Sequence, residues 1–143
     1  MASAFCDTTV LVAASDAGHP HHAPCIALLG SVRRGTAFCA LHSYAELYAV
    51  LSGMPGRPRL RPSDVESMIA RLDRVFTPVA LTRREYRAAI RRSAKQGVTG
   101  GRLYDALILA CGIKSRAAAI YTLNERDFVD LASPDVAPRI RRP

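Results

Sequence analysis

Apolar residues along this chain fall into two rhythms. Residues 4–6, 36–40, 77–81 and 118–123 are short, nearly continuous apolar runs that end at polar or turn residues. Runs of this kind predict strands buried on both faces. Between them the apolar positions recur at helical spacing. After Asp7-Thr8-Thr9 comes Val10-Leu11-Val12-Ala13-Ala14, a first helix, and residues 18–22 (GHPHH) make a loop. Residues 22–34 predict a second helix, with Cys25, Ile26, Leu28, Leu29 and Val32 on one side and Gly35 as its stop.

Three later helices share a start signal, Ser/Thr-x-x-Glu ahead of an apolar run, which is the capping-box pattern. Ser43 with Glu46 precedes Leu47-Tyr48-Ala49-Val50-Leu51, a helix that stops near Gly53. Ser63 with Glu66 opens a helix to about Arg74, and Thr82 with Glu85 caps residues 83–95, whose apolar face is Tyr86, Ala89 and Ile90. Residues 54–62 (MPGRPRLRP) predict an exposed Pro/Arg loop. A Gly-rich link, 96–101, leads into residues 100–112 (GGRLYDALILACG), apolar on nearly every side and so expected to run through the core, closing at 114–116. Asn124 begins a short helix to Leu131, and the tail 133–143 holds an expected edge strand around Val136. Strands alternating with helices predict an α/β fold with a mainly parallel sheet covered by helices on both faces.

At 143 residues the chain has the length of a single domain, 1–143, with an apolar fraction large enough to fold. No apolar run reaches the ~18–20 residues of a membrane span, and the first residues have no basic start of a secretory signal. A cytoplasmic protein is expected. The cysteines Cys6, Cys25, Cys39 and Cys111 have no CxxC spacing and lie among apolar residues, which predicts buried free thiols. Lys and Arg number 20 against 12 Asp and Glu, a net charge of +8 that is nearly all arginine. Guanidinium binds phosphate through paired hydrogen bonds, so charge alone makes a nucleic-acid partner plausible.

The acidic residues fall at the ends of the predicted strands. Asp7 follows the first, Glu46 the second, and Asn124 and Asp127 the fourth, while Asp105 sits in the first turns of the core helix. Ligands of doubly wound sheets bind at the carboxyl ends of the strands, so these side chains are placed to face one crevice. Each also has a plain role as a helix cap or a partner of the helix dipole. Jointly, carboxylates in apolar surroundings are costly and repel one another unless a cation joins them. Hard oxygen ligands suit Mg²⁺ or Mn²⁺. A divalent ion in an acidic crevice on a basic protein points to phosphodiester hydrolysis by activated water, with no covalent enzyme intermediate.

Four segments together resemble the PIN-domain ribonucleases, and within them the VapC toxins of toxin–antitoxin pairs. They are Phe5-Cys6-Asp7-Thr8-Thr9-Val10-Leu11-Val12, Ser43-Tyr44-Ala45-Glu46-Leu47, Gly100-Gly101-Arg102-Leu103-Tyr104-Asp105-Ala106, and Tyr121-Thr122-Leu123-Asn124-Glu125-Arg126-Asp127-Phe128. The resemblance implies a PIN-like sheet of about five strands and a Mg²⁺- or Mn²⁺-dependent endoribonuclease acting on RNA. It implies a homodimer, neutralised by a VapB-like antitoxin in a heterotetramer or larger complex. Carried over by motif, Asp7, Glu46 and Asp105 are the acidic triad and the metal ligands, Asp7 and Asp105 foremost. The fourth family position, often acidic, falls on Asn124, an amide that supplies no charge. Asp127, on the same helix face, is the residue placed to compensate.

Among neighbouring residues, Thr8 and Thr9 offer hydroxyls or amides to a phosphate, Ser43 offers a hydroxyl to metal-held water, and Arg102 offers a guanidinium to RNA backbone. Each is equally an ordinary helix-start or surface residue. His19, His21, His22 and His42 lack metal-ligand spacing and are assigned to loop and helix starts. Tyr44, Tyr48, Tyr86 and Tyr104 are assigned to core or dimer contacts rather than base stacking. Arg57, Arg59 and Arg61 either track phosphates or solubilise their loop. No GxGxxG follows a strand, which disfavours a dinucleotide enzyme. A haloacid-dehalogenase-type phosphatase needs an Asp where Thr9 stands. A catalytically silent domain that binds RNA or a protein is the alternative, kept open by Asn124.

Overall fold

The computed structural model describes residues 2–56 and 59–143. Arg57, from the Pro/Arg loop read as either tracking phosphates or solubilising, lies outside them. The sheet contains β1 (Ala4–Cys6), β2 (Ala37–Ala40), β3 (Thr77–Val79), β4 (Ala119–Tyr121) and β5 (Ile140–Arg141), in the spatial order β3-β2-β1-β4-β5. Every neighbouring pair is parallel, with Phe5 beside Phe38 and Ile120 at the centre. The helices are α1 (Thr8–Ser15), α2 (His22–Ser31), α3 (Leu41–Gly53), α4 (Pro62–Asp73), α5 (Arg83–Lys95), α6 (Arg102–Ser115) and α7 (Glu125–Leu131). An α/β fold with a parallel five-stranded sheet was expected and is present.

Side chains alternate across the strands and divide the core in two. Ala4, Cys6, Ala37 and Cys39 face α1–α4, where Leu11, Leu47, Leu51 and Val65 are fully buried. Phe5, Ala40 and Ile120 face the other way, against Ile108 and Leu109 of α6 and Phe128 of α7. All four cysteines are free and buried. Burial pushes the Cys39 thiol up to about 12 and the Cys111 thiol to about 11, so both are protonated and behave as small apolar groups.

Several local expectations need correction. Helix α6 does not run through the core. It lies on the sheet with one stripe fully buried (Ile108, Leu109, Cys111, Gly112), while Tyr104 is 56 % exposed. Flanking helices α5 and α7 half-cover the apolar residues on its other sides. The stripe is tight: a Cβ on Gly112 would come within 3.1 Å of Ile120 Cδ1 and 3.2 Å of Phe5 Cδ1, so glycine lets α6 settle on β1 and β4. In the link ahead of α6 the backbone calls for glycine at Gly97 and Gly100, with φ of +70° and +58°; Gly101 has ordinary helical angles.

Of the three capping boxes, one forms. Thr82 Oγ1 accepts from Glu85 N–H at 3.2 Å and Glu85 Oε1 accepts from Thr82 N–H at 2.9 Å. Lys114 Nζ donates to the same Glu85 oxygen at 2.6 Å and to Ala80 O at 2.8 Å, tying the end of α6 to the start of α5. Ser63 and Glu66 form no box, because α4 already starts at Pro62 behind an Arg61–Asp64 ion pair of 2.9 Å. Helix α3 likewise starts early, at Leu41, directly from β2. Ser43 and Glu46 are thereby freed from the helix end and turned inward. The edge strand is Ile140–Arg141, pairing with β4; Val136 is instead a buried residue before a 3-10 turn. Helix α2 ends at Ser31, short of the expected Arg34.

Candidate active site

The chain order on the sheet reverses between β1 and β4, and a crevice opens outside their carboxyl ends, where such folds bind ligands. Its volume is about 530 Å³. Asp7, Glu46, Asp105 and Asn124 all line it, together with Thr8 and Thr9. Four of the five acidic-site candidates, far apart in sequence, therefore share one cavity.

Asp7 follows β1 and is 2 % exposed. It stands at the N-cap of α1 yet makes no capping hydrogen bond. Its Oδ2 instead accepts from Thr9 Oγ1 at 2.7 Å and Thr122 Oγ1 at 2.8 Å. Both hydroxyls in turn accept from the backbone after β4: Leu123 N–H reaches Thr9 at 3.1 Å and Asn124 N–H reaches Thr122 at 2.9 Å. Two threonines thus lock the ends of β1 and β4 together around one carboxylate. Burial nonetheless raises the Asp7 pKa, against the opposing hydrogen bonds of Thr9 and Thr122 and the nearby N–H groups of α1.

Glu46 lies on the second turn of α3. Its Oε1 accepts from Thr8 Oγ1 at 3.3 Å, Thr8 lies 2.7 Å from Ser43 Oγ, and His42 Nε2 is 3.8 Å from the same Glu46 oxygen. Burial raises its pKa and the Asp7 charge adds to this, while His42 and Thr8 oppose it. Ser43 has no exposed surface, so its hydroxyl holds Thr8 and is not placed to touch a substrate. Thr8 is buried but borders the crevice.

Asp105 is half-buried in the first turn of α6. Burial, then the charges of Asp7, Asp127 and Glu46, push its carboxyl up to about 6, with only partial relief from the exposed Arg102. Asp127 acts on Asp105 by charge but is not part of the crevice lining, so its expected compensation for Asn124 is at most electrostatic. Asn124 precedes α7, its side chain makes no capping bond, and it is exposed to the crevice. The plain capping roles of Asp7 and Asn124 are thus not realised.

These carboxylates fit a cation. Three share one crevice with only partial relief from His42 and Arg102, and each of Asp7, Glu46 and Asp105 is held above its usual range, chiefly by burial. All the donors are hard oxygens, as Mg²⁺ or Mn²⁺ requires. Among the described residues no three His, Cys, Asp or Glu side chains stand close enough together to hold an ion, so an ion here would be bound by fewer of them, with waters completing its shell, unless the side chains draw together around it. Three lining or supporting residues were not anticipated as site residues. Thr122 hides inside an apolar run, where a buried hydroxyl leaves no mark. His19 and His21 also line the crevice. Only the return of the chain after α1 brings them there, which local spacing does not encode.

Comparison with known proteins bears on the family and the fold. A family model described as the PIN domain matches residues 4–134. The chain is 32 % identical to ribonuclease VapC27 of Mycobacterium tuberculosis over 111 residues, 78 % of this chain and 77 % of that protein. It is also 32 % identical to ribonuclease VapC40 of the same organism over 135 residues, 94 % of this chain and 92 % of the relative. Among solved structures, M. tuberculosis VapC20, described as a sarcin-ricin loop cleaving toxin, matches at a TM-score of 0.66 and 21 % identity, covering 82 % of this chain and 87 % of that one. That structure shares the fold. With a parallel sheet, a carboxylate crevice at its switch point and relatives of this kind, the chain belongs to the PIN-domain family and stands there with the VapC ribonucleases.

Proposed function

We propose that this protein is a toxin-type endoribonuclease that hydrolyses RNA phosphodiesters with Mg²⁺ or Mn²⁺ held by Asp7, Asp105 and Glu46. The observation that carries this reading is the convergence of carboxylates from three separate elements on one crevice, where burial and then the neighbouring carboxylates push Asp105 up to about 6. When bound, such an ion supplies Lewis-acid polarisation of the phosphate and lowers the pKa of water. Asp7 is the most firmly oriented ligand, fixed by Thr9 and Thr122. Glu46 Oε1 accepts from Thr8, which leaves Oε2 as its free oxygen for the ion. Arg102, exposed beside Asp105, offers a guanidinium to the flanking RNA backbone. An amide at Asn124 favours one ion over two, because it brings no charge to a second.

The partners follow from the same reading. A VapB-like antitoxin neutralises the enzyme, and the cytoplasm is where both RNA and antitoxin are met. Support for a homodimer, and for a heterotetramer or larger assembly with antitoxin, comes from large apolar side chains on α3, α5 and α6. Leu41, Tyr48, Tyr86, Ile90 and Tyr104 are 39–56 % exposed, Tyr104 the most. The test is incubation of purified protein with RNA in Mg²⁺, Mn²⁺ or EDTA. Cutting that needs the divalent ion and is lost in Asp7→Asn is expected. RNA retention without cutting in any ion would instead favour the silent binding domain.

A further inference from the structure

The crevice continues past its carboxylates. Thr8 and Val12 are one turn apart on α1, and Glu46 and Val50 one turn apart on α3. All four line the same space, so it runs along the groove between these helices. His19 and His21, from the turn that follows α1, line it as well. Val12 and Val50 add apolar surface to the lining of this groove.

The turn that carries the imidazoles is well braced. His19 N–H donates to Asp16 O and His22 N–H to His19 O, each at 3.0 Å, and His22 Nδ1 lies 2.8 Å from Ala13 O. The backbone N–H of His21 donates to His19 Nδ1 at 3.0 Å. A nitrogen that accepts carries no proton, so neutral His19 holds its proton on Nε2 and presents one donor there. The two ring centroids are 5.8 Å apart and the planes are tilted by 46°, so the rings do not stack flat on each other and keep faces for another ring. Neither belongs to a hydrophobic core.

We propose that His19 and His21 form a subsite for one unpaired nucleotide of the RNA, next to the bond that is cut. The base stacks on an imidazole face over Val12 and Val50, and His19 Nε2–H donates to the nucleotide's phosphate or 2′-hydroxyl. This rests on the crevice being a ribonuclease site. Unpaired bases are held in proteins by stacking on aromatic side chains, histidine included. Apolar surface with ring faces suits a base, whereas the carboxylate end repels a phosphate that has no cation beside it.

The test is steady-state cleavage of a short unstructured oligoribonucleotide in Mn²⁺ by wild type, His19→Asn, His21→Ala and His21→Phe. Asn keeps an acceptor for the His21 N–H, so the turn survives, but lacks the ring and the Nε2 donor. His19→Asn and His21→Ala are expected to raise KM about tenfold with kcat within about twofold, since stacking on one base is worth roughly that factor. His21→Phe keeps a ring face and stays within about threefold of the wild-type KM. Unchanged KM in His19→Asn and His21→Ala, or a loss confined to kcat, overturns the subsite, and a Phe variant as weak as Ala overturns stacking. If the wild type cuts no RNA in either ion, the hydrolytic reading fails separately. Fluorescence anisotropy with the same oligonucleotide in EDTA then decides: about tenfold weaker binding by His21→Ala supports the subsite, and equal binding overturns it.

Discussion

Asp105→Asn should make the metal-free protein more stable while destroying its activity. Asparagine keeps the shape of the side chain and removes a charge that burial penalises and that Asp7, Asp127 and Glu46 repel. A carboxyl whose pKa rises from 3.8 to about 6 on folding costs about 3 kcal/mol at neutral pH if fully buried. Asp105 is half-exposed, and solvent screening reduces this to about 1 kcal/mol. The sign follows from proton binding. Between pH 3.8 and about 6 the folded protein holds more protons at this site than the unfolded chain, so stability falls as pH rises through that window and the cost is fully present above it. In EDTA at pH 7 the variant should therefore melt about 3 °C higher, with the advantage gone near pH 4. Adding Mg²⁺ at ~100 times its Kd should stabilise the wild type by about 2.7 kcal/mol and the variant far less. The assay is thermal unfolding against pH, with and without Mg²⁺. A variant less stable than wild type at pH 7, or equal gains from Mg²⁺ in both, would refute the assignment of Asp105 to a cation site.

Other perturbations probe the scaffold. Thr122→Val keeps the volume but removes the hydroxyl that serves Asp7 and leaves the Asn124 N–H without its partner. It should cost about 1–3 kcal/mol in urea unfolding and lower kcat more than KM in an RNA cleavage assay. Gly112→Val drives a branched side chain into Ile120 and Phe5, which already lie within 3.1 and 3.2 Å of a Cβ. About 1–3 kcal/mol of destabilisation is expected by denaturant titration, with activity falling as α6 and its Asp105 are displaced.

The alternation of strands and helices was legible because each apolar run is bounded by turn residues and the central strands β1, β2 and β4 contribute side chains to both cores. The crevice was legible at Asp7 and Asp105 because a carboxylate among apolar residues has few structural uses. Glu46 was visible, but the wrong local role came with it. Its Ser-x-x-Glu spacing is the same as that of Thr82 and Glu85, and only the early start of α3 at Leu41 turns it into a site residue. Spacing fixes which residues meet on a helix and not where the helix begins. Overestimated burial of α6 has a similar cause: its apolar outer residues are half-covered by α5 and α7, and a helix against two neighbours carries nearly the same pattern as one inside a core. Thr122, His19 and His21 were beyond local reading. Thr122 acts through a bond to a residue 115 positions away, and the histidines reach the crevice only through the fold.

The most direct test of the central claim is single-turnover cleavage of RNA in Mn²⁺ by wild type, Asp7→Asn and Asp105→Asn, each first shown to be folded. Loss of about 10²-fold or more in both variants, with Asp105→Asn at least as stable as wild type in EDTA, is the expected result. Cleavage that persists in both folded variants would contradict a catalytic cation site at this crevice.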